Sequence, residues 1–166
     1  MKTTTLTLSA LTLSAFLAVP ALAAEPEYAT IKMEVNIAKP AAEVWAKVGK
    51  YCDIAEWLKL DCKITSGDGG MGTVRSLAGG RVLEILVAQT ELSYGYTQPA
   101  KEGAFYNLYH GFMEARPVTA KTSKMIYTLV VDESDKADKA AKDADIARRR
   151  TSFEAALQNM KAIAEK

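Results

Sequence analysis

The sequence is poor in the residues that bind transition metals, because its 166 residues include one histidine and two cysteines. That inventory cannot supply the four ligands of a structural zinc site. Net charge is also scarce, since 21 basic residues stand against 20 acidic ones, for a formal charge of +1. A nucleic-acid partner requires a basic face that replaces phosphate counterions. The sequence therefore predicts no metal, no bound cofactor and no nucleic-acid partner.

Disorder is excluded by composition as well. Hydrophobic residues make up 49% of the chain and charged residues 25%, which is typical of a globular protein. The length suits one compact domain and is too short for two.

The first 23 residues are set apart from the domain by their pattern. An apolar run from Leu6 to Leu22 ends in Ala21-Leu22-Ala23, a cleavage signal of the A-x-A type. As a membrane span the run is short and broken at Pro20. We expect a secretory signal peptide over 1–23, cut after Ala23, with a retained anchor or a buried helix as the alternatives.

The rest of the chain, 24–166, is expected to form a single domain outside the cytoplasm. Its sequence offers no second segment long and apolar enough to span a bilayer. For a bacterial chain, export predicts a periplasmic location.

Export changes the expectation for the two cysteines, Cys52 and Cys62. In an oxidising compartment a disulfide is favoured, with two separate buried thiols as the alternative. A redox-active dithiol would have Cys-x-x-Cys spacing, which this pair lacks.

Hydrophobic periodicity predicts the first elements. Alternating apolar and polar residues from Tyr28 to Ala38 indicate a half-buried strand. Pro40 suits the first turn of a helix that Gly49 ends, and a second short helix is predicted over Tyr51 to Trp57.

Hydrophobic periodicity after the second helix predicts an antiparallel sheet and then one long amphipathic helix, from Lys139 to Glu165. Six strands are expected, at Cys62 to Ser66, Gly72 to Ala78, Arg81 to Thr90, Leu92 to Gln98, Tyr106 to Val118 and Lys121 to Val131. This order predicts an α+β protein with a curved sheet of about seven strands wrapped around the terminal helix. A single helix does not fill such a sheet, so a cavity between them is expected.

The chain resembles the polyketide cyclase/dehydrase-like branch of the START/Bet v 1-like (SRPBCC) superfamily, whose fold is the helix-grip. The matching motifs, in order, are Pro40-Ala41-x-x-Val44-Trp45, Trp57, Gly72-x-Val74-Arg75-x-Leu77, Val82-x-Glu84, Tyr94-x-Tyr96 and the strand from Tyr109 to Pro117. The resemblance implies a hydrophobic cavity for lipids, polyketides, sterols or other small apolar molecules.

Turn geometry brings two charged residues together. If Gly79-Gly80 forms a two-residue turn, Arg75 lies opposite Glu84 on the same face of the hairpin. The pair is interpreted either as a polar anchor at the cavity wall or as a structural ion pair, perhaps on the outer face. Periodicity alone does not choose the face.

Other candidate residues are less specific. His110 could act as a general base, but no nucleophile or paired carboxylate accompanies it, and a solvent-side or hydrogen-bonded histidine is the plainer interpretation. Tyrosines suit a cavity wall because each offers an apolar ring and one hydroxyl. The candidate ligand-binding residues are Trp57, Arg75, Glu84, Tyr94, Tyr96, Tyr109, Met113 and Tyr127.

Three functions stay open. The first is an exported binding protein for a small hydrophobic ligand. The second is a cyclase, dehydratase or hydrolase in which Arg75 stabilises an enolate and Glu84 or His110 moves a proton. The third, by resemblance to a methanol-oxidation member of the family, is an accessory protein that docks on a periplasmic redox enzyme, for which an exposed apolar patch would be the sign.

Overall fold

A computed structural model describes residues 25–100 and 107–166. The predicted signal peptide, 1–23, lies outside the described residues. Ten elements follow one another: β1 (Tyr28–Ile37), α1 (Ala41–Val48), α2 (Ile54–Leu58), β2 (Cys62–Ser66), β3 (Val74–Leu77), β4 (Val82–Thr90), β5 (Ser93–Thr97), β6 (Tyr109–Thr119), β7 (Thr122–Asp132) and α3 (Lys139–Ala164). The predicted element order is confirmed.

The seven strands form one antiparallel sheet in the order β1-β7-β6-β5-β4-β3-β2. Only β1 departs from a simple meander, because it pairs with β7 along its whole length, from Tyr28 opposite Asp132 to Ile37 opposite Ser123. The sheet curves around α3, which packs on β1, β7 and both short helices. This is the predicted α+β helix-grip architecture.

Apolar periodicity explains which faces are buried. In β1 the alternate residues Ile31, Met33, Val35 and Ile37 point into the core, as a period of two requires. The buried face of α3 is formed by Phe153, Ala156, Leu157, Met160 and Ala164. The concave face of the sheet and this helix face therefore enclose the core.

The second helix is shorter than predicted and begins at Ile54 rather than Tyr51. Residues 51–53 form a turn instead, in which the Asp53 side chain accepts a hydrogen bond from the Lys50 backbone N–H at 2.8 Å. A side-chain bond of this kind competes with helical hydrogen bonding, so the helix starts after Asp53.

A disulfide joins Cys52 to Cys62, whose Cα atoms lie 5.5 Å apart. It ties the turn before α2 to the first residue of β2, and the predicted bridge is confirmed. Across residues 25–100 and 107–166, no helix is long and apolar enough to cross a membrane.

Candidate ligand-binding site

The concave face of the sheet carries the predicted charged pair. Strands β3 and β4 pair so that Arg75 lies opposite Glu84, as the turn geometry predicted. Both side chains point into the core, where Arg75 is 0% and Glu84 3% exposed. Periodicity alone did not show which face of the sheet carries the pair, and the structure shows that it is the concave one.

Arg75 and Glu84 hold each other in a fixed geometry. The Arg75 Nε donates a hydrogen bond to Glu84 Oε2 at 2.8 Å, and Nη2 lies 2.6 Å from the same oxygen. Arg75 Nη1 donates to the backbone carbonyl oxygen of Tyr51. The other carboxylate oxygen, Glu84 Oε1, accepts a hydrogen bond from Gln98 Nε2 at 3.3 Å.

Burial raises the pKa of Glu84 above its ordinary value. The neighbouring Arg75 charge and the hydrogen bonds from Arg75 and Gln98 lower it again only in part. Both carboxylate oxygens already accept hydrogen bonds. The geometry therefore favours orientation of a bound molecule over proton transfer by Glu84.

Aromatic rings surround the guanidinium. The Arg75 Cζ lies 4.1 Å from the ring centroid of Tyr51, 4.8 Å from that of Tyr96 and 5.8 Å from that of Tyr94. These distances are within the range of cation–π attraction, which is stronger where water is excluded. The buried Arg75 cation thus lies among three aromatic rings, with Glu84 as its counter-ion.

A second group of rings continues this wall towards α3. The hydroxyls of Tyr96 and Tyr127 share a hydrogen bond of 2.7 Å. The Tyr127 ring also contacts Phe153 at 4.6 Å and Trp57 at 6.1 Å between centroids. Burial raises the pKa of both hydrogen-bonded tyrosines well above the ordinary value, so they remain neutral.

The predicted ligand-binding residues meet in this interior. Seven of them are buried: Trp57, Arg75, Glu84, Tyr94, Tyr96, Met113 and Tyr127. The eighth, Tyr109, is half-buried, and the Arg149 guanidinium lies 5.2 Å from its ring centroid. The side chains of these eight residues occupy the space between the sheet and α3 in which the sequence predicted a cavity.

His110 does not join the pair. Its neighbours in β6, Gly111 and Met113, are buried on the concave side, whereas His110 lies on the convex side with Phe112, at 6.4 Å between ring centroids. The suggested partnership of His110 with Arg75 is therefore wrong, because alternation along the strand places His110 on the opposite face.

Sequence reasoning missed three contributors to the site. Tyr51 supplies a ring and a carbonyl oxygen to Arg75, and Gln98 binds Glu84. Arg149 reaches Tyr109 from α3. Tyr51 and Arg149 reach the site from distant parts of the chain, and the sequence contains no spacing that signals them. Gln98 lies across the β4–β5 hairpin from Glu84, one position beyond the pair Ile85–Thr97, so the hairpin register is the signal that could have found it.

A cleft of about 330 Å³ opens beside this interior. It lies between the α1–α2 connection, strands β4 and β5, and the glycine-rich loop after β2, and we call it the α1 cleft. Its lining residues are Trp45, Ala46, Gly49, Lys50, Tyr51, Gly69, Leu86, Gln89 and Tyr94. Of the predicted ligand-binding residues, Tyr94 lines this cleft.

A family model described as polyketide cyclase / dehydrase and lipid transport matches residues 28–165. The chain belongs to this family. The match extends from the first residue of β1 to the residue that follows α3, so the polyketide cyclase/dehydrase family accounts for the whole helix-grip domain. No curated protein matches the sequence.

Solved structures share the fold of this polyketide cyclase/dehydrase family member. The ZhuI aromatase/cyclase from Streptomyces sp. R1128 is 16% identical with a TM-score of 0.64, over 84% of this chain and 94% of that one. Ara h 8.0201 is 19% identical with a TM-score of 0.58, over 82% and 99%. A protein from Nitrosospira multiformis is 23% identical with a TM-score of 0.62, over 81% and 94%. At these identities the likeness establishes the fold alone.

Proposed function

We propose that this protein is an exported binding protein that holds a small hydrophobic ligand between its sheet and α3. The observation that carries the proposal is the aromatic interior around Arg75, whose buried guanidinium contacts one carboxylate oxygen, of Glu84, and one carbonyl oxygen, of Tyr51. Ligand pockets are mostly apolar with a few polar groups that fix orientation. A guanidinium carries five N–H donors, so an acceptor atom on a ligand could bind those that these contacts leave over.

Binding in this interior requires side chains to move. Tyr96, Met113 and Tyr127 are packed with at most 1% exposure. Rotation of the Tyr96 and Tyr127 rings would break their shared hydrogen bond and open space beside Phe153. The ligand-bound state is then a repacked form of this interior.

Native mass spectrometry of protein purified from its own periplasm tests the proposal. We expect a defined extra mass that is released on denaturation, with an unchanged polypeptide mass. A bare polypeptide in every preparation, with no small molecule in the denatured supernatant, would contradict the proposal.

The role of Arg75 is tested with Arg75→Met, which removes the charge and keeps an unbranched side chain. Loss of the bound mass from a folded variant would support an anchor for the ligand. Retention of the same mass at the same occupancy, with lowered stability, would show that the ion pair is purely structural.

A second candidate function, docking on a partner protein, is favoured by the convex face of the sheet. Leu83, Val87 and Phe112 are each 43% exposed there, on strands β4 and β6. Contiguous exposed apolar side chains are typical of interaction surfaces. The predicted occupant is a periplasmic redox enzyme.

Chemical cross-linking in the periplasm tests this docking function. A cross-linked redox enzyme that is lost in the Leu83→Ser/Phe112→Ser variant and kept in Tyr28→Ser would support it. Tyr28 is a matched control because it is 59% exposed and lies in β1, at the far edge of the sheet. Equal cross-linking in both variants would contradict docking at the convex face.

A further inference from the structure

The Arg75 guanidinium has hydrogen-bond donors to spare. Its Nε and Nη2 face Glu84 Oε2 at 2.8 and 2.6 Å, and its Nη1 donates to the Tyr51 carbonyl oxygen. These three contacts use three of the five N–H donors of a guanidinium and leave two, one on Nη1 and one on Nη2. An acceptor on a ligand can therefore bind Arg75 while the contact with Glu84 stays intact.

The charge of the guanidinium, in contrast, is already compensated. Glu84 is 3% exposed, and its two oxygens accept hydrogen bonds from Arg75 and Gln98. Because these contacts are all with donors, Glu84 has the surroundings of an ionised carboxylate, which only accepts. Arg75 and Glu84 thus form a buried pair with no net charge.

The second cation of the interior also has carboxylate partners. Arg149 lies over the Tyr109 ring, with its Cζ 5.2 Å from the centroid. Its Nε donates to Asp145 Oδ2 at 2.5 Å and lies 3.9 Å from Glu133 Oε1. Both guanidinium groups that lie over the rings of this interior are therefore balanced by acidic side chains. A carboxylate brought in by a ligand would meet donors but no uncompensated positive charge.

We propose, on the basis of the proposed function, that Glu84 determines the specificity of the interior site. It makes the site accept an uncharged ligand that carries a hydrogen-bond acceptor and reject a carboxylic acid. An uncharged acceptor costs less to dehydrate than an ion and gains the remaining donors of Arg75. An ionised carboxylate would add a net negative charge to an interior that excludes water, which is strongly unfavourable.

The variant Glu84→Gln isolates the contribution of the Glu84 charge. Any apolar interior disfavours an ion, so preference for an uncharged ligand does not by itself identify Glu84. Glutamine keeps the shape and one acceptor oxygen of the side chain, but it leaves Arg75 without a counter-ion. A ligand carboxylate can then take that role through a charge-assisted hydrogen bond. The specificity of this variant should shift towards the acid.

Equilibrium dialysis with 2-naphthoate and its methyl ester tests the proposal, because the two probes share one ring system. We expect the wild-type protein to bind the ester at least about a hundredfold more tightly than the acid. In Glu84→Gln this ratio should fall at least about tenfold. A purely structural role of Glu84 would weaken both probes together and leave the ratio unchanged.

A second variant adds a positive charge without breaking the ion pair. Gln98 is half-buried, and its Nε2 lies 3.3 Å from Glu84 Oε1. Gln98→Lys should lower the ester-to-acid ratio by up to about fivefold, less than Glu84→Gln does, because solvent screens a partly exposed charge. Gln158→Lys makes the same substitution at an exposed position of α3 and should keep the wild-type ratio.

The possible results separate this proposal from the proposed function. Tight ester binding with the wild-type ratio in both Glu84→Gln and Gln98→Lys would overturn the role of Glu84 and still support a binding protein. Equal wild-type affinity for ester and acid would also overturn it. If neither probe binds the wild-type protein, the interior site itself is contradicted and the role of Glu84 with it. If Glu84→Gln does not fold, the ratio in Gln98→Lys decides.

Discussion

The buried ion pair makes the protein sensitive to substitution at Arg75 and Glu84. Removing one partner leaves an uncompensated charge in the core, so Glu84→Leu should lower the free energy of unfolding by about 3 to 5 kcal/mol. The double variant Arg75→Met/Glu84→Leu buries no charge and should recover most of that loss. Urea denaturation of both variants measures the difference.

A surface pair supplies the control for this prediction. Glu114 and Arg116 contact each other at 2.8 Å while both side chains remain partly exposed. Glu114→Leu should therefore change the urea midpoint much less than Glu84→Leu does, because solvent screens the exposed pair. Equal effects of the two substitutions, or a double variant as unstable as Glu84→Leu, would show that charge burial is not the cause.

Gly111 is expected to tolerate no side chain. A Cβ at this position in β6 would lie 2.2 Å from the Tyr96 ring, which is fixed by its hydrogen bond to Tyr127. Gly111→Ala should destabilise the protein by about 1 to 3 kcal/mol through overpacking. Gly70→Ala, where a Cβ meets only the Asp68 side chain at 3.4 Å, is the control in the same thermal melts. Equal melting temperatures for the two variants would contradict the prediction.

The strands could be predicted where the alternation or the turn residues of the local sequence determine which side chains face inward and which lie opposite each other. Alternation in β1 placed Ile31 and Val35 inward, and the Gly79-Gly80 turn set the register of Arg75 against Glu84. What the sequence left open depends on partners far away in the chain. The inward face of β3 is decided by packing against Tyr51 and Tyr96, and the filling of the cavity is decided by ring contacts that only the folded sheet brings together.

The first half of α3 carries a charged cluster that makes stability depend on pH. Burial opposes ionisation of Asp145, but hydrogen bonds from Arg148 and Arg149 outweigh it and hold its pKa at about 2, below the ordinary value of 3.8. A depressed pKa in the folded state stabilises the protein above the unfolded value. That stabilisation is lost as the pH falls through the folded value.

Asp145→Asn should therefore have a lower free energy of unfolding than the wild type at pH 6. The difference between the two proteins should shrink below pH 4 and vanish near pH 2. Urea titrations of both proteins across this range measure the difference. A difference for Asp145→Asn that is constant with pH would contradict this account.

The neighbouring Glu133 is buried, and burial together with Asp145 raises its pKa. Ionisation of Glu133 therefore destabilises the folded protein, so Glu133→Gln should be more stable than the wild type at pH 6. This advantage should disappear at low pH, where Glu133 is protonated in the wild type.

The disulfide between Cys52 and Cys62 stabilises one side of the molecule. The bridge joins Cys52 to Cys62, which are ten positions apart in the sequence. Chain-entropy arithmetic for the loop between them gives a stabilisation of about 2 to 3 kcal/mol. The Cys52→Ser/Cys62→Ser variant should lose that amount in urea denaturation, and reductant should lower the melting temperature of the wild type but leave the variant unchanged.

The same bridge links stability to the proposed export. A protein that reaches the periplasm should be isolated with its polypeptide starting at Ala24, with no titratable thiol and with the stability of the bridged form. Synthesis without residues 1–23 should keep the chain in the reducing cytoplasm, where Cys52 and Cys62 remain thiols and the protein matches the double-serine variant in stability. Intact-mass and thiol measurements on the two preparations compare them directly. A periplasmic preparation that retains residues 1–23, or one with both thiols free, would contradict the proposed route and the role of the bridge in it.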